Sequence, residues 1–578
     1  MKRRPPSPTS TAAPVTAPSP ITRRRFLGDS SAIFALALVG GAPAIHLPGR
    51  KSYDIIIRNG TIFDGTLSDP VEADVAINGG RIAAVGRRLG SDARLVINAR
   101  GLAVAPGFID IHSHADGSMF EDPRVESVIR EGITTVIVGQ DGSSRAPKRS
   151  DSGQADSSDD DHNDAAYDAI GDVLRAIDAL PSAVNVASMV GLGSVRHVVI
   201  GDDDRPATAD ELVQMAALVE ASLASGACGA SSGLEYTPGI FASREELIAL
   251  CKPLASRGLP YATHMRNEDD HVLESIDEAI AVARGAGCPL EISHLKTQGK
   301  RNWVKIDDAF GKIEGARKAG LDVTFDRYPY IAYQTGLSNL FPKWSKDGGS
   351  SAFIARLSDA DLRPKLRKEV LEKVELIGGW DNVMISGVSN DDDKSAEGQR
   401  LGSYAKSLGR DPYDVADGLL TRSRGGVGMV GFAMSEKNVA RFLAHPLSMV
   451  CSDGGAYATD GPARDGHPHP RALGTFPRVL GKYVREEKVL TLPQAIHKMT
   501  AAPAARLKLA DRGQLKTDFA ADVVIFDPDT VIDRATYAEP YQYPEGISVV
   551  IVNGQVALRR GERTDADRRS GKALRPKV

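Results

Sequence analysis

The sequence predicts an α/β chain: a (β/α)8 TIM-like barrel with a small β-sandwich domain formed by both chain ends. Three observations predict it. The middle of the 578 residues alternates strand-like and helix-like stretches, which is the pattern of a parallel sheet. Short strands with Asn-Gly turns crowd residues 52–104 and return at 521–558. The span between these two β-rich ends is long enough for eight strand–helix units. A hydrophobic content of 42% supplies a core for more than one domain. The net charge of −4 and the 6% aromatic content give neither bulk attraction to nucleic acid nor a stacking platform, so no nucleic-acid partner is expected.

Taken in order, residues 1–44 read as a targeting segment. A Pro/Ser/Thr-rich start leads into "TRRRFLG" (22–28), then the apolar "AIFALALVGG" (32–41) and the small-residue pattern "APA" (42–44). The apolar stretch is too short to span a bilayer. Its arginine run resembles a twin-arginine export signal, which makes the mature protein periplasmic or secreted, with membrane contact only during export. An uncleaved anchor is the alternative.

Residues 45–105 form the first part of the β domain. Asn59-Gly60 and Asn78-Gly79-Gly80 each sit between apolar runs and predict hairpins. Residues 511–578 supply the second part, with another Asn-Gly in "ISVVIVNGQVAL" (547–558). The barrel occupies 106–510. Thr208-Ala-Asp-Glu211 is a capping box before Leu212, Met215, Val219 and Leu223 at helical spacing. Ser243 opens a second helix, and strands follow at "LPYATHMR" (259–266) and "CPLEISHLK" (288–296), the latter with Leu290, Ile292 and His294 on one face. Insertions are placed near 145–165, a polar acidic loop, and 335–400, an excursion over the barrel mouth. Cys228, Cys251, Cys288 and Cys451 form no CxxC and lie among small or apolar residues; they read as buried free thiols, with one disulfide as the alternative.

Candidate chemistry sits at strand ends. In "APGFIDIHSHAD" (105–116) an apolar run ends in His112 and His114, one residue apart, which a strand points the same way. Two converging neutral imidazoles suit a divalent metal. Asp141 in "VIVGQDGSS", His264 in "ATHMRNE", His294 in "EISHLK" and Asp453 in "VCSDGG" end later strands. A barrel brings such ends together around one mouth, where its chemistry resides.

"APGFIDIHSH", a histidine on a later strand, "SHLK" and "SDG" together resemble the amidohydrolase superfamily, and more narrowly the N-acyl-D-amino-acid deacylases (D-aminoacylases). Further stretches of likeness are "SSGLEYTPG" (231–239), "YPYIAYQTGL" (328–337) and "HPRALGTFPRVLGKYVR" (469–485), and the likeness covers nearly the whole chain beyond the targeting segment. The resemblance implies a metal-dependent barrel holding one or two divalent ions, Zn2+ as the cofactor. It makes His264 and His294 ligands of the tightly held ion, His112 and His114 ligands at a second position, and Asp453 the catalytic aspartate. Asp141 stands where the family has a cysteine; its carboxylate can hold and bridge metals but is less thiophilic. Leu192 and Gln334 are further departures, in places where the family shows a histidine and a serine. For a substrate α-carboxylate the candidates are Lys296 and Tyr328, which match a family lysine and tyrosine, with Arg471 and Arg266 beside them.

The expected partner is a small N-acyl amino acid or a D-peptide, cleaved at its amide bond. A cyclic-amide hydrolase of the dihydroorotase or hydantoinase kind is one alternative, although no lysine stands at a matching strand end to be carboxylated. A non-catalytic binding barrel, motivated by the cysteine-to-aspartate change, is another. Oligomeric state is not legible.

Overall fold

The computed structural model describes residues 52–90, 92–148, 167–564 and 569–578. The predicted export signal (1–44) and almost all of the acidic loop (149–163) lie outside them.

The two chain ends join in one nine-stranded sheet. Ala103–Pro106 from the first end pairs antiparallel with Val523–Phe526 from the second, in the register Val523 with Pro106 to Phe526 with Ala103. Alternation explains why the sheet is stable. Ile55, Ile57, Val75, Ile77, Val104, Val523, Ile525 and Ile551 enter one buried cluster, while Val524, Phe526, Val550 and Val552 pack with Phe108 and Ile133 of the body. Each fully buried Val or Ile contributes about 1.5–3 kcal/mol from its area.

Hairpins form at Gly79-Gly80, between Val71–Asn78 and Arg81–Gly86, and at Asn553-Gly554, between Ile547–Val552 and Gln555–Arg559. Both turns carry the positive φ values that such tight loops require. Asn59-Gly60, predicted as a third hairpin, does not turn. It lies inside the single strand Tyr53–Ile62, as a register shift between Ile57 and Gly60 against Val71–Asn78. Asn59 takes φ 59° and its N–H donates to Asp74 Oδ1 (3.1 Å), so the irregularity is stitched to the neighbouring strand. Glycine is needed next because a Cβ there would overlap the Val104 side chain. Gly60→Ala is therefore expected to destabilise the fold by about 1–3 kcal/mol, read as a lower urea midpoint at unchanged slope.

Eight parallel strands carry the body: β1 (Phe108–Asp110), β2 (Ile133–Val138), β3 (Asn185–Ser188, continued by Val190–Gly191), β4 (Ala230–Gly233), β5 (Tyr261–His264), β6 (Leu290–Ile292), β7 (Val323–Arg327) and β8 (Ser448–Val450). Their ladders form two sheets rather than one closed ring. One pairs β1, β2 and β3; the other runs β8-β7-β6-β5-β4 to Val190–Gly191. Beyond the strand ends, Asp453 N–H donates to His112 O and His114 N–H to Gly454 O, both at 2.9 Å. Asp110 Oδ1 accepts from Ser452 N–H (2.8 Å) at the same seam.

The predicted capping box is present. Thr208 opens Ala209–Ala224 with reciprocal bonds to Glu211 (3.3 and 2.8 Å), and Ser243 caps Arg244–Ala255. All four cysteines are free and buried. Between β7 and β8 the chain leaves the body and builds a three-stranded antiparallel sheet, Tyr333–Gly336, Val427–Gly431 and Val383–Val388, together with helices that include Arg363–Ile377. No helix among the described residues is long and apolar enough to cross a membrane.

Candidate metal centre

The six side chains at the strand ends gather, with Asp141 in the middle. His112 Nε2 lies 3.4 Å from Asp141 Oδ1 and 3.5 Å from Asp453 Oδ1. His114 Nε2 is 3.2 Å from Asp453 Oδ1 and 3.6 Å from Asp141 Oδ2. On the other side, Asp141 Oδ2 is 3.3 Å from His294 Nε2 and 3.6 Å from His264 Nδ1, and those two nitrogens are 3.1 Å apart. One carboxylate thus faces two pairs of imidazoles, the arrangement of a group shared between two cation positions.

Local backbone explains the convergence. None of the six lies inside a regular run except His264, the last residue of β5. Asp141, His294 and Asp453 adopt left-handed φ values of 51°, 35° and 50°. For a non-glycine residue this costs of order 1–3 kcal/mol and persists only where the surroundings enforce it. The predicted common face for Leu290, Ile292 and His294 is overturned at this point. Leu290 and Ile292 pack with the helix-facing cluster, and the left-handed turn at His294 takes its ring out of that alternation into the cluster of imidazoles. Asp326 at the end of β7 holds the turn by accepting the His294 N–H (2.7 Å).

The donor set fits a divalent cation. Both His112 ring nitrogens and Asp141 Oδ1 are buried without a hydrogen-bond partner among the described residues, and buried polar atoms are rarely left so. Burial would raise the Asp141 carboxyl, but the His112 and His294 imidazoles hold it well below the usual range. Asp453 is likewise held far down, against burial, by the Arg471 guanidinium and His294. Burial disfavours a charged His264, yet Glu268, Asp141 and Glu235 together push it up to about 10.

That shift fixes a pH dependence. His264 gains a proton-stabilising environment on folding, so the stability it lends the metal-free fold is fully present below its ordinary value near 6.5 and is lost as pH rises through about 10. A metal must displace that proton. Metal affinity is therefore expected to rise from pH 6 to 9, with proton release on uptake, measured by calorimetric titration in two buffers of different ionisation enthalpy.

The remaining candidates divide. Arg471 is buried and binds Asp453 Oδ2 through Nη1; its Nε has no partner among the described residues. Its guanidinium lies 4.9 Å from the ring of Tyr328, whose buried hydroxyl also lacks a partner. Lys296 is 2% exposed, and its ammonium is already shared by both Glu268 oxygens and His294 Nδ1, each at 2.7 Å. Free donors thus remain on Arg471 and Tyr328 rather than on Lys296. Arg266 is not brought to the cluster: Glu278 and the carbonyls of Ile240 and Ala242 take up its guanidinium. Leu192 is a buried core residue at a helix start, and Gln334 accepts the His469 N–H at 3.1 Å.

Three carboxylates escaped the sequence reading: Asp326, Glu235, which reaches His264 Nε2 (3.4 Å), and Glu268, which reaches His294 Nδ1 (3.2 Å). The only signal available was position, since Glu268 stands four residues after His264 and Glu235 two after β4.

A family model described as "Amidohydrolase family" matches residues 95–335 and 440–558. The chain belongs to the amidohydrolase family. The matched segments of this amidohydrolase contain all six clustered side chains and omit most of the excursion between β7 and β8. It is 36% identical over 505 residues to a D-aminoacylase of Alcaligenes xylosoxydans xylosoxydans, covering 87% of this chain and 94% of the relative. An N-acyl-D-glutamate deacylase of the same organism is also 36% identical, over 514 residues (87% and 93%). Among solved structures, the N-acyl-D-glutamate deacylase of Bordetella bronchiseptica, complexed with zinc and a phosphonate mimic of the tetrahedral intermediate, superimposes with a TM-score of 0.77 at 34% identity, covering 91% of this chain and all of that one.

Proposed function

We propose that this amidohydrolase cleaves the amide bond of N-acyl-D-amino acids, giving a carboxylate and a free amino acid. One observation carries the reading: a cation-ready cluster stands directly beside two buried donors that lack acceptors, Arg471 Nε and Tyr328 OH. A substrate carboxylate supplies those acceptors, and an arginine is the residue best shaped to hold it. The relatives' names and the zinc of the solved deacylase support the same chemistry.

His264, His294 and Asp141 would hold one ion, and His112, His114 and Asp453 a second, with Asp141 shared. A zinc ion held there would supply a water whose pKa is lowered to about 7 and would polarise the acyl carbonyl. Asp453 accepts the attacking water's proton and delivers it to the departing nitrogen. Arg471 and Tyr328 fix the α-carboxylate. Lys296 and Glu268 steady the His294 ring. The fold reading behind this is a (β/α)8 barrel whose eight strand ends share one mouth, with the sheet from both chain ends as a β-sandwich domain against it.

Purified protein with added zinc, offered N-acetyl D- and L-amino acids and D-dipeptides, tests the function. Hydrolysis of the N-acetyl D-isomers supports it; hydrolysis of only L-isomers, or of none, overturns it. Arg471→Ala is expected to raise KM for the D-substrate by at least about tenfold, since a charged hydrogen bond is lost. Residues 1–44 we take as a twin-arginine export signal; Arg23→Lys with Arg24→Lys and Arg25→Lys is expected to retain the protein in the cytoplasm on fractionation.

A further inference from the structure

Three cations surround the ring of one buried phenol. The Arg327 guanidinium lies 4.3 Å from the centre of the Tyr328 ring, the Arg471 guanidinium 4.9 Å and the Lys296 ammonium 5.9 Å. Two of these charges are answered by carboxylates: Lys296 by Glu268 at 2.7 Å, and Arg471 by Asp453. Arg327, the last residue of β7, is not. It is 0% exposed, yet its partners are all uncharged: the Tyr330 carbonyl at 2.8 Å, the Met434 sulfur at 3.2 Å and, at a long 3.5 Å, the His294 carbonyl. It forms no ion pair among the described residues, and its Nε has no hydrogen-bond partner among them. Burial raises the Tyr328 phenol above its ordinary value, while Lys296, Arg327 and Arg471 pull against that rise, so near neutrality the hydroxyl is a donor.

A fully buried guanidinium without a carboxylate is costly, and the cost falls when an anion comes near. Carbonyl and thioether acceptors hold such a group in place without cancelling its charge. Stacked on it is Tyr328, whose buried hydroxyl has no partner among the described residues. A cation over the face of an aromatic ring is attracted by its electron density, and by drawing on that density it makes a phenolic O–H a stronger donor. We propose that Arg327 is a positioning residue of the carboxylate subsite: it touches no substrate, and through the stacked Tyr328 ring it supplies a positive charge that no protein carboxylate pairs. The inference rests on the proposed hydrolysis and deepens it. The demand for a free α-carboxylate, as opposed to an ester or amide, then comes in large part from Arg327, since Asp453 already shares the charge of Arg471.

The test compares the N-acetyl-D-amino acid turned over fastest with its own α-carboxamide, which has the same size and the same scissile bond but no charge. A wild-type kcat/KM ratio of at least about 10²-fold in favour of the acid is expected, the scale for completing a buried charge. Arg327→Met keeps much of the bulk and should lower that ratio by about tenfold, as expected for a unit charge acting across a ring at an effective dielectric constant of about 20. The change should appear as a raised KM for the acid, with kcat, the kinetics of the amide and the metal content unchanged. Arg327→Lys, which keeps the charge, should retain most of the preference. An arginine that only ties Tyr330 and Met434 to the end of β7 would affect both substrates alike; that result overturns the proposal, and so does a ratio unchanged in Arg327→Met. A wild-type ratio below about tenfold overturns it without any variant. Should Arg327→Met fail to fold, Arg327→Gln, which keeps an amide donor for the Tyr330 carbonyl, takes its place in the same comparison. Calorimetric binding to metal-free protein, weakened in the variant for the acid and not for the amide, gives a readout independent of turnover. An unchanged preference with turnover intact removes only the role of Arg327; absence of turnover on every N-acyl-D-amino acid removes the hydrolase reading itself.

Discussion

Asp453→Asn is expected to lower kcat by about 10²–10⁴-fold, the usual contribution of a positioned proton-transfer group. Asparagine keeps the size of the side chain and an oxygen to face His114, so the cluster can still form around it. What it loses is the ability to take a proton from water and return it to the leaving nitrogen. Arg471 is bonded to the same carboxylate and buried with it, so the substitution also removes a charge partner from the guanidinium proposed above to hold substrate. The two effects separate kinetically. Loss of the proton shuttle lowers kcat, while displacement of Arg471 raises KM. Metal content by elemental analysis should remain within one ion of wild type. A variant that retains wild-type kcat with normal metal content removes Asp453 as the shuttle.

Asp141→Ala should have the other large effect, and through a different quantity. Among the described residues Asp141 is the one carboxylate within reach of all four imidazoles, at 3.3–3.6 Å. Its removal takes away the carboxylate oxygen that faces both His264 and His294, leaving Glu268 as an acidic group still beside them. The expected result is the loss of at least one ion per chain and of most activity, neither recovered at moderate zinc excess. Asp141→Cys should retain a metal, with the balance shifted towards thiophilic ions. Activity and stoichiometry unaffected by Asp141→Ala would show that the imidazoles hold the metal without it.

The sequence made the strand ends legible because each ended an apolar run in a polar, chemistry-bearing residue. His112, His114, Asp141, His264, His294 and Asp453 were found in this way, across more than 300 residues of chain. The capping boxes at Thr208 and Thr491 are equally local signals, and the first was read. Legibility failed where geometry departs from periodicity. No alternation rule announces that His294 turns left-handed, and an Asn-Gly pair reads the same in a hairpin as in the bulge at Asn59. The supporting carboxylates Glu235, Glu268 and Asp326 were hidden for another reason. Their partners lie on other strands, and only folding shows which of the many acidic side chains meets an imidazole. Lys296 shows the converse limit: it stands beside His294, and Glu268 pairs with its charge, a contact no sequence spacing announces.

The antiparallel sheet at 333–431 leaves the body after β7 and returns before β8 without contributing to the parallel ladders. The two lengths of chain meet at Tyr236 and Glu235, and again at Asp269, Asp204 and His469. A graft of that length from a related barrel would have to carry matching partners for each of those seams, while the strand ends that gather the imidazoles stay as they are.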